Sequence, residues 1–363
     1  MNVLFINSIH PKKFGGGEKW MVTAAKGLTE AGHNVFLASK RGATILQVAK
    51  KAGVQTCVLN IYTDFSPLNT WRIACFLKKQ HIQILVCNLN KDVRVAGLAA
   101  RLVKNPVVIA RHGVLLCGEE WKHKVALKRL TDGILTNTET IKEEYLRYGW
   151  FDEDFVKVIH NGVADKFHVT PYNFAQRFPG KKVVFSAGRL SKQKGFDYLI
   201  EAAALLLKKR SDLVFVVAGK GREEKQLKNL IQKYGIQDAF HFLGFSDDID
   251  PYLKGCDLFV LSSLFEGMPN VIMEAMALGK AVVATDANGT RELVVHGETG
   301  IVVPSRNPAR LAEAIAKVMD DPEQRETYGR NGLKRVKAHF TIEKMIQNLE
   351  AYFQEKLQKK SKR

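Results

Sequence analysis

The sequence has no long apolar run and no recognisable leader. A membrane-spanning helix needs roughly 20 consecutive apolar residues, whereas the longest apolar runs here resemble Leu213–Ala218. The first residues, MNVLFINSIH, contain no basic segment ahead of an apolar one and read as a strand, so we expect no signal peptide. These absences predict a cytoplasmic protein without a membrane span.

Cysteine and proline are also sparse. The five cysteines are scattered and form no Cys-x-x-Cys pair, which argues against a disulfide framework and a cysteine zinc site; they are Cys57, Cys75, Cys87, Cys117 and Cys256. Two of the 10 prolines, Pro171 and Pro179, fall in the section Ala164–Gly180, which has no clear period. We interpret this section as an interdomain linker.

Acidic residues are few relative to basic ones, since 37 Asp and Glu against 55 Lys and Arg leave a net charge of +18. This excess implies an anionic partner, or a basic surface that only maintains solubility. No basic motif interleaved with aromatic residues is present, which argues against nucleic acid. An anionic membrane surface or a phosphorylated acceptor fits the charge equally well.

Short apolar runs alternate with helical-period segments along the whole chain. Continuous apolar strands are typical of parallel sheets covered by helices on both faces. The predicted strands of the first series are Val3–Asn7, Asn34–Ser39, Thr56–Leu59, Ile82–Cys87, Val107–Arg111 and Gly133–Thr136. Those of the second series are Lys182–Ala187, Leu213–Ala218, Phe240–Leu243, Leu258–Leu261, Ala281–Thr285 and Gly300–Val303.

Two Rossmann-like α/β domains in tandem follow from this pattern. We expect an N-terminal domain over residues 1–165 and a C-terminal domain over residues 166–341. The last segment, 342–363, is predicted as a helix that returns to the first domain, followed by a basic tail. Ligands of such sheets bind outside the carboxyl ends of the strands, so two facing sheets define one central cleft.

The loop Gly188–Gly195, with sequence GRLSKQKG, lies between a predicted strand and a predicted helix. A loop leading into a helix N-terminus is suited to anion binding. Arg189 offers a planar fork and Lys194 a point charge, which together suit two linked phosphates. Taken alone, the loop is equally consistent with an ordinary basic connection.

The segment Leu264–Ala275 follows the predicted strand Leu258–Leu261. Pro269 suits the first turn of a helix, which puts Glu266 in the loop and Glu274 near the helix start. One carboxylate can accept two ribose hydroxyls while the other meets hydroxyls of a sugar. Two solvated glutamates flanking a helix start are the alternative for this segment alone.

Taken together, these motifs resemble the large retaining group 1 (family 4) glycosyltransferases. The Glu-x7-Glu spacing and the Gly-Arg…Lys-Gly loop carry the resemblance, together with Gly15–Glu18, Asn161–Val163, Asn288–Glu292 and Gly297–Gly300. The motifs occur in the family's order from the first strand to about Pro304. The resemblance implies a GT-B fold, with two Rossmann-like domains facing a central cleft.

The resemblance also implies roles for matching positions. Arg189 and Lys194 are expected to neutralise the donor diphosphate and the charge that grows as the glycosidic bond breaks. Glu274 is expected to bind the ribose and Glu266 to contact the donor sugar. His112 matches the family's histidine in the cleft, although a lone histidine is often structural. The backbone from Gly267 through Met268 and Pro269 to Asn270 is expected to orient the sugar and phosphate. The glycine loop with Gly16 and Gly17 is expected to approach the phosphate or the acceptor from the opposite domain.

The sequence departs from the family's pattern in three places. Asn288-Gly289 stands where a Gly-Gly pair is frequent, which leaves local sugar or phosphate contacts open. Ala164 follows Asn-Gly-Val where an acidic residue is common, which bears on the hinge. Gly113 follows His112 where the family often has an acidic residue, so the polar partner of the histidine is undetermined.

No metal and no cofactor are expected. Two strings, Asp152-Glu153-Asp154 and Asp248-Ile249-Asp250, resemble the metal–diphosphate motif of the other major glycosyltransferase fold. The first lies in a polar loop and the second forms a helix-start cluster, and neither ends a strand beside the predicted nucleotide site. Arg189 and Lys194 are expected to supply the charge that a metal would otherwise provide.

The sequence therefore predicts a metal-independent retaining glycosyltransferase that moves a sugar from a nucleotide-diphosphate donor to a glycan or glycolipid acceptor. Bacterial surface polysaccharide or lipopolysaccharide synthesis is the expected setting. Helical segments Leu68–Lys79 and Glu119–Leu130 combine Trp71 or Trp121 with basic residues, which favours a peripheral position at the inner membrane face but also fits ordinary packing helices. The alternatives are a non-catalytic GT-B glycan-binding or complex subunit and a nucleic-acid-binding protein.

Overall fold

The computed structural model describes residues 1–114, 120–166 and 168–362. Cys117 and Glu119, which the sequence patterns include, lie outside the described residues. The chain folds as two compact units, of which the first comprises Met1–Gly162 and Ile342–Arg363 and the second Val163–Thr341. Each unit is a parallel α/β domain.

The first unit contains a seven-stranded parallel sheet in the order β3-β2-β1-β4-β5-β6-β7. Its strands are β1 (Asn2–Ile6), β2 (Asn34–Ser39), β3 (Gln55–Val58), β4 (Ile84–Cys87), β5 (Val107–His112), β6 (Gly133–Thr136) and β7 (Val156–Val158). Its helices are α1 (Gly16–Glu30), α2 (Thr44–Lys51), α3 (Pro67–Lys79), α4 (Asn90–Val103), α5 (Trp121–Leu130) and α6 (Glu139–Arg147).

The second unit contains a six-stranded parallel sheet in the order β10-β9-β8-β11-β12-β13. Its strands are β8 (Lys182–Ala187), β9 (Leu213–Ala218), β10 (Phe240–Gly244), β11 (Leu258–Leu261), β12 (Val282–Thr285) and β13 (Gly300–Val303). Its helices are α7 (Phe174–Arg177), α8 (Phe196–Leu207), α9 (Glu224–Tyr234), α10 (Asp250–Gly255), α11 (Asn270–Ala277), α12 (Thr290–Leu293), α13 (Pro308–Asp320) and α14 (Pro322–His339).

Both sheets are covered by helices on both faces, which explains their continuous apolar strands. In β1 alternate residues enter opposite cores, with Val3 and Phe5 in one buried cluster and Leu4 and Ile6 in the other. Strand β9 divides in the same way in the second unit. Because every one of these side chains is buried, the period-two polarity of a half-exposed strand is absent. The predicted pair of Rossmann-like domains is confirmed.

The last helix, α15 (Ile342–Ser361), belongs to the first unit. Its side chains Leu349 and Phe353 are fully buried in the core beneath α1 and the sheet. Lys356 is also buried and donates hydrogen bonds to the carbonyl oxygens of Asp132 and Asp154. Most of the residues of the predicted basic tail therefore lie in a packed helix.

Among the residues that the structure describes, no helix is long and apolar enough to cross a membrane.

Candidate functional site

In both sheets the strand order reverses once, at β1/β4 in the first unit and at β8/β11 in the second. Connections on the two sides of such a reversal leave in opposite directions and open a crevice at the carboxyl ends of the strands. The loops after β8 and β11 hold Gly188–Gly195 and Ser262–Asn270, the two segments with most of the predicted donor residues. Topology therefore brings these segments together.

Hydrogen bonds connect the two loops of the second unit directly. The amide of Leu264 donates to the carbonyl oxygen of Gln193 at 2.8 Å, and the Gln193 side-chain amide donates to the carbonyl oxygen of Phe265 at 3.0 Å. The Ser262 hydroxyl donates to the carbonyl oxygen of Lys194 at 3.0 Å. These bonds fix the position of the loop after β8, which holds Arg189 and Lys194, relative to the loop after β11, which holds Glu266.

Gly195 makes this close approach sterically feasible. It has a left-handed backbone, with φ +58°, and begins helix α8. A methyl group at this position would lie 2.2 Å from the carbonyl oxygen of Ser262. Glycine is therefore required both by its dihedral angle and by the neighbouring backbone.

Lys194 and Glu266 form an ion pair at the meeting point of the loops. Lys194 Nζ lies 2.5 Å from Glu266 Oε1, and the Glu266 side chain is only 9% exposed. The same carboxylate oxygen accepts a hydrogen bond of 2.6 Å from the Ser263 hydroxyl. Thr285 at the end of β12 in turn donates to the carbonyl oxygen of Ser263 at 2.5 Å. Glu266 is thus held by two donors, one of which is itself anchored to the neighbouring strand.

Arg189 and Glu274 are placed differently. Arg189 is exposed, and no side-chain partner for it is found in the described part of the chain. Glu274 lies in the second turn of α11, half-buried and likewise without a side-chain partner among the described residues. Helix α11 begins at Asn270, with Pro269 at its N-cap position. Both charged groups are therefore available to a ligand.

The sequence analysis assigned no role to Gly219, which allows the loop after β9 to pack against the loop Gly188–Gly195. It follows β9, and its amide donates to the carbonyl oxygen of Gly244 at 2.7 Å. A methyl group on Gly219 would lie 1.9 Å from the carbonyl oxygen of Gly188, so only glycine allows the loop after β9 to support the basic loop. The sequence Gly219-Lys220-Gly221 directly after an apolar strand was the available signal.

Asn288 adopts a left-handed conformation with φ +49°. Asparagine is one of the few residues other than glycine that tolerate this region. The departure from a Gly-Gly pair is therefore compatible with the same turn. The following Arg291 forms an ion pair with Asp286, with 2.8 Å between Nη2 and Oδ2.

In the first unit, Gly16 and Gly17 form the first turn of α1. Glu18 closes this turn, because its carboxylate accepts hydrogen bonds from the Gly15 amide at 2.9 Å and from the Asn7 side chain at 3.0 Å. Asn7 directly follows β1, so the glycine loop is anchored to the carboxyl end of that strand. The free amides of a helix start there are suited to an anionic or hydroxyl-bearing ligand.

Arg111 is a buried cation beside this glycine loop, which the sequence interpretation assigned no role. Its guanidinium lies 4.4 Å from the ring centroid of Trp20, and its Nη1 donates to Asn88 Oδ1 at 3.3 Å. Burial lowers the pKa of Arg111 to about 10, while the charge of Glu18 opposes that shift. The residue remains a cation at neutral pH.

His112 ends β5 and is completely buried. Its Nδ1 shares a hydrogen bond of 2.5 Å with the Tyr145 hydroxyl, and its Nε2 has no partner in the described part of the chain. Burial, followed by the charges of Arg111 and His123, lowers the pKa of His112 to about 3. The imidazole is therefore neutral. Tyr145 supplies the polar partner that the sequence left undetermined.

Asp92 is a second buried ionisable group at this edge of the sheet. Its carboxylate accepts hydrogen bonds from the hydroxyl and amide of Ser8 and from the Leu89 amide. Burial raises the pKa of Asp92 to about 6, against the lowering effect of these bonds. The side chain links the segments that follow β1 and β4, the two strands at which the strand order reverses. Its role in the structure is to stabilise the sheet at this reversal.

Both Asp-x-Asp strings are engaged in contacts outside these loops. Asp154 pairs with Lys359 of α15 at 3.3 Å, and Asp250 pairs with Lys166. Asp248 accepts a hydrogen bond from the Asp250 amide at 2.9 Å. Among the described residues, no group of three His, Cys, Asp or Glu side chains has the arrangement of a metal site.

Two family models match the chain in succession. The model described as Glycosyltransferase Family 4 matches residues 14–167, and the model described as Glycosyl transferases group 1 matches residues 171–335. Each model covers the main part of one unit, and their order is the order of the units along the chain.

Individual proteins resemble the chain over different lengths. The lipopolysaccharide core biosynthesis glycosyltransferase LpsE of Rhizobium meliloti is 28% identical over 96% of this chain and 98% of that protein. The alpha-D-kanosaminyltransferase of Streptomyces kanamyceticus is 36% identical over 45% of this chain, which thus spans only 42% of that relative. The structure of Anabaena HepE in complex with UDP has a TM-score of 0.86, at 22% identity, covering 98% of this chain and 100% of that chain. These likenesses agree with a GT-B fold.

Proposed function

The chain belongs to the glycosyltransferases of the group 1 and family 4 type, and on this premise we propose that it transfers a sugar from a nucleotide-diphosphate donor to a glycan or glycolipid acceptor with retention of configuration. The observation that carries the proposal is the linked pair of loops after β8 and β11. These loops carry Arg189, Lys194 and Glu266 at the carboxyl ends of β8 and β11, where the strand order reverses, and Glu274 lies on helix α11, which follows the second loop.

The donor is a nucleoside diphosphate sugar in this proposal. HepE, whose fold is similar, is described in complex with UDP and with UDP-glucose. Two cations suit a diphosphate, and a carboxylate such as Glu274 can accept both hydroxyls of a ribose. Glu266 is held by Ser263 and Lys194, which leaves its second oxygen to accept a hydroxyl of the donor sugar.

Retention follows from reaction on one face of the sugar. The bond between the anomeric carbon and the phosphate oxygen breaks, and its electron pair leaves with the diphosphate. The acceptor hydroxyl oxygen bonds to the same face, and its proton passes to the departing phosphate oxygen. Arg189 and Lys194 stabilise the negative charge that grows on the diphosphate, and neutral His112 offers Nε2 as a hydrogen-bonding group to the reacting sugars. In this proposal the two cations replace a divalent metal.

The acceptor belongs to a bacterial surface glycan in this proposal, and the enzyme works at the anionic inner face of the cytoplasmic membrane. LpsE and two mannosyltransferases of similar sequence, LpsB and LpcC, are named for lipopolysaccharide core biosynthesis. The +18 net charge favours an anionic surface or acceptor. A non-catalytic glycan-binding subunit is the alternative, and the intact set of charged residues favours the enzyme over it.

A thermal-shift panel of UDP, GDP, ADP and CMP and their sugar conjugates tests the donor site, first with added Mg²⁺ and then with chelator. We expect one diphosphate class to raise the melting temperature with chelator present, and Glu274→Ala or Arg189→Ala to abolish that shift. Glu326→Ala and Arg310→Ala, both at exposed helix positions, are matched controls that keep it. The selected donor is then assayed for hydrolysis and transfer; binding without either reaction would favour the non-catalytic subunit.

A further inference from the structure

An apolar cleft of about 500 Å³ opens on the surface of the first unit between α3 and α4. Large side chains around it are unusually exposed: Phe65 by 76%, Trp71 by 63% and Leu102 by 65%. Leu68 and Leu98 add further exposed apolar area beside them. Monomeric soluble proteins seldom expose contiguous apolar patches of this kind without an interaction partner.

The exposed side chains of α3 lie beside the face that the helix uses for packing. The helix buries Ile73 and Leu77 in the core of the first unit, and Thr70, which is also buried, borders the cleft. The cleft is further lined by Trp71, Ala74, Cys75 and Lys78, which follow one another at helical spacing, and of these Ala74 also packs on the core. Packing of the first unit therefore leaves Trp71, Cys75 and Lys78 exposed.

The charged residues of α3, which borders the cleft, are all basic. No acidic residue occurs from Phe65 to Gln83, whereas Arg72, Lys78 and Lys79 do. The nearest preceding acid, Asp64, is paired with Arg94 at 2.7 Å. Helix α5 packs beside α4 and carries Trp121, 77% exposed, close in sequence to Lys122 and Lys124, of which Lys122 is paired with Glu120.

We infer that this surface, formed by Phe65–Lys79 and by Leu98 and Leu102, docks the protein on an anionic lipid bilayer. Trp71, Phe65 and Leu102 enter the interfacial region, while Lys78 and Lys79 contact lipid phosphates. Basic residues near such a surface are attracted to its anionic headgroups, and aromatic rings suit the boundary between headgroups and acyl chains. The inference rests on the membrane part of the proposed function and assigns it to specific residues.

A second copy of the chain is a less suitable occupant. An isologous dimer through this surface would bring the same lysines of two copies together, which opposes association. A bilayer with anionic headgroups supplies both the apolar phase and the opposite charge. The occupant that complements both features is therefore the lipid surface.

Cys75 lines the cleft and is exposed, so it offers a built-in labelling position. In a Cys57→Ser, Cys117→Ser background, a polarity-sensitive fluorophore on Cys75 should shift to the blue with phosphatidylglycerol-containing vesicles at low salt. Cys87 and Cys256 are buried and stay in place. The same dye on a Leu205→Cys, Cys75→Ser variant, at an exposed position of α8, should not respond.

Vesicle flotation with unlabelled protein gives the quantitative test. Leu102→Ser should weaken binding to anionic vesicles at least tenfold, and Lys78→Glu/Lys79→Glu should do the same at low salt. Leu205→Ser is the matched control, since it also replaces an exposed helical leucine, and it should bind like the wild type. Donor thermal shift should stay unchanged in all of them, which separates failure of docking from failure of the donor site.

Four results would overturn the inference. The first is absence of wild-type binding to anionic vesicles at low salt. The second is equal binding of Leu102→Ser and Leu205→Ser. The third is equal affinity of the wild type for anionic and neutral vesicles. The fourth is sedimentation of the free protein as a dimer that Leu102→Ser dissociates, which would assign the surface to a second copy of the chain.

Discussion

At the residue scale, the two cations of the loop Gly188–Gly195 differ: Arg189 has no side-chain partner among the described residues, whereas Lys194 is already paired with Glu266. We therefore expect Arg189→Ala to act on the transition state, where charge on the leaving diphosphate is greatest. The expected loss is about 100- to 1000-fold in kcat. Single-turnover kinetics at saturating donor, with Arg310→Ala as control, measure it. A loss confined to donor affinity, with unchanged turnover of the bound complex, would contradict this role.

Ser263 supplies a second prediction at this scale, because its hydroxyl donates to the same Glu266 oxygen that Lys194 contacts. Ser263→Ala removes one of these two donors, and we expect kcat/KM to fall about 5- to 30-fold, corresponding to about 1–2 kcal/mol. Ser263→Thr, which keeps a hydroxyl, should recover most of the activity. Ser361→Ala removes an exposed hydroxyl of α15 and should have no effect. Equal activity of the Ala and Thr variants would show that the hydrogen bond does not position Glu266.

The charged residues of the site were easier to predict from the sequence than the polar residues that hold them in position. Glu266 and Lys194 stand in a recognisable spacing, but Ser263 and Thr285 are ordinary polar residues at strand ends. Their importance arises from contacts between segments that are far apart in the chain. The pairing of His112 with Tyr145, 33 residues away, depends on the fold in the same way. Such pairs have no local sequence signal.

At the element scale, strands were the most predictable feature, because full burial on both faces produces continuous apolar runs. Asn34–Ser39, Lys182–Ala187 and Leu213–Ala218 were predicted with the bounds that the structure has. Strand β7 was not among the predicted strands, since its three residues, Val156–Val158, include an exposed Lys157 at the sheet edge. Short edge strands bury little and therefore carry a weak pattern.

The packing of α15 on β6 gives the prediction at this scale. A methyl group on Gly133 would lie 2.4 Å from the Tyr352 hydroxyl, and that hydroxyl has no hydrogen-bond partner in the described part of the chain. Gly133→Ala should therefore destabilise the first unit by about 1–3 kcal/mol through overpacking. Tyr352→Phe removes the clashing atom and should restore much of that loss, measured by urea unfolding.

The double variant distinguishes this contact from a general backbone effect. Tyr352→Phe alone should change stability little, because the hydroxyl that it removes makes no hydrogen bond to the described residues. If Gly133→Ala causes the same loss in the wild-type background and in the Tyr352→Phe background, then α15 does not pack on β6 as described.

At the scale of the whole molecule, the four tryptophans allow the first unit to be followed separately. Trp20, Trp71, Trp121 and Trp150 all lie in Met1–Gly162, and the second unit has none. Tryptophan fluorescence during urea unfolding therefore reports the first unit alone. The same unit contains two fully buried groups with opposite pKa shifts, His112 and Asp92.

These two groups should oppose each other in the pH dependence of stability. Burial lowers the pKa of His112 from 6.5 to about 3. Below pH 6.5 His112 is protonated in the unfolded chain but stays neutral in the folded chain. The contribution of His112 to the free energy of unfolding therefore decreases as the pH falls. Burial raises the pKa of Asp92 from 3.8 to about 6. Between these two pH values Asp92 is protonated in the folded chain but ionised in the unfolded chain. The contribution of Asp92 to the free energy of unfolding therefore decreases as the pH rises from about 3.8 to about 6.

When either group is replaced, the pH dependence of the free energy of unfolding between pH 4 and 6 should be dominated by the remaining group. In His112→Gln the free energy of unfolding of the first unit should fall with rising pH relative to the wild type, by up to about 1.4 kcal/mol per pH unit. In Asp92→Asn it should rise instead, with the same limiting slope. His241→Gln, in the second unit, is the control that leaves the fluorescence-detected profile unchanged. Parallel profiles for wild type, His112→Gln and Asp92→Asn would mean that neither group is buried as the fold requires, because a group whose pKa differs between the folded and unfolded chains must couple its protonation to folding.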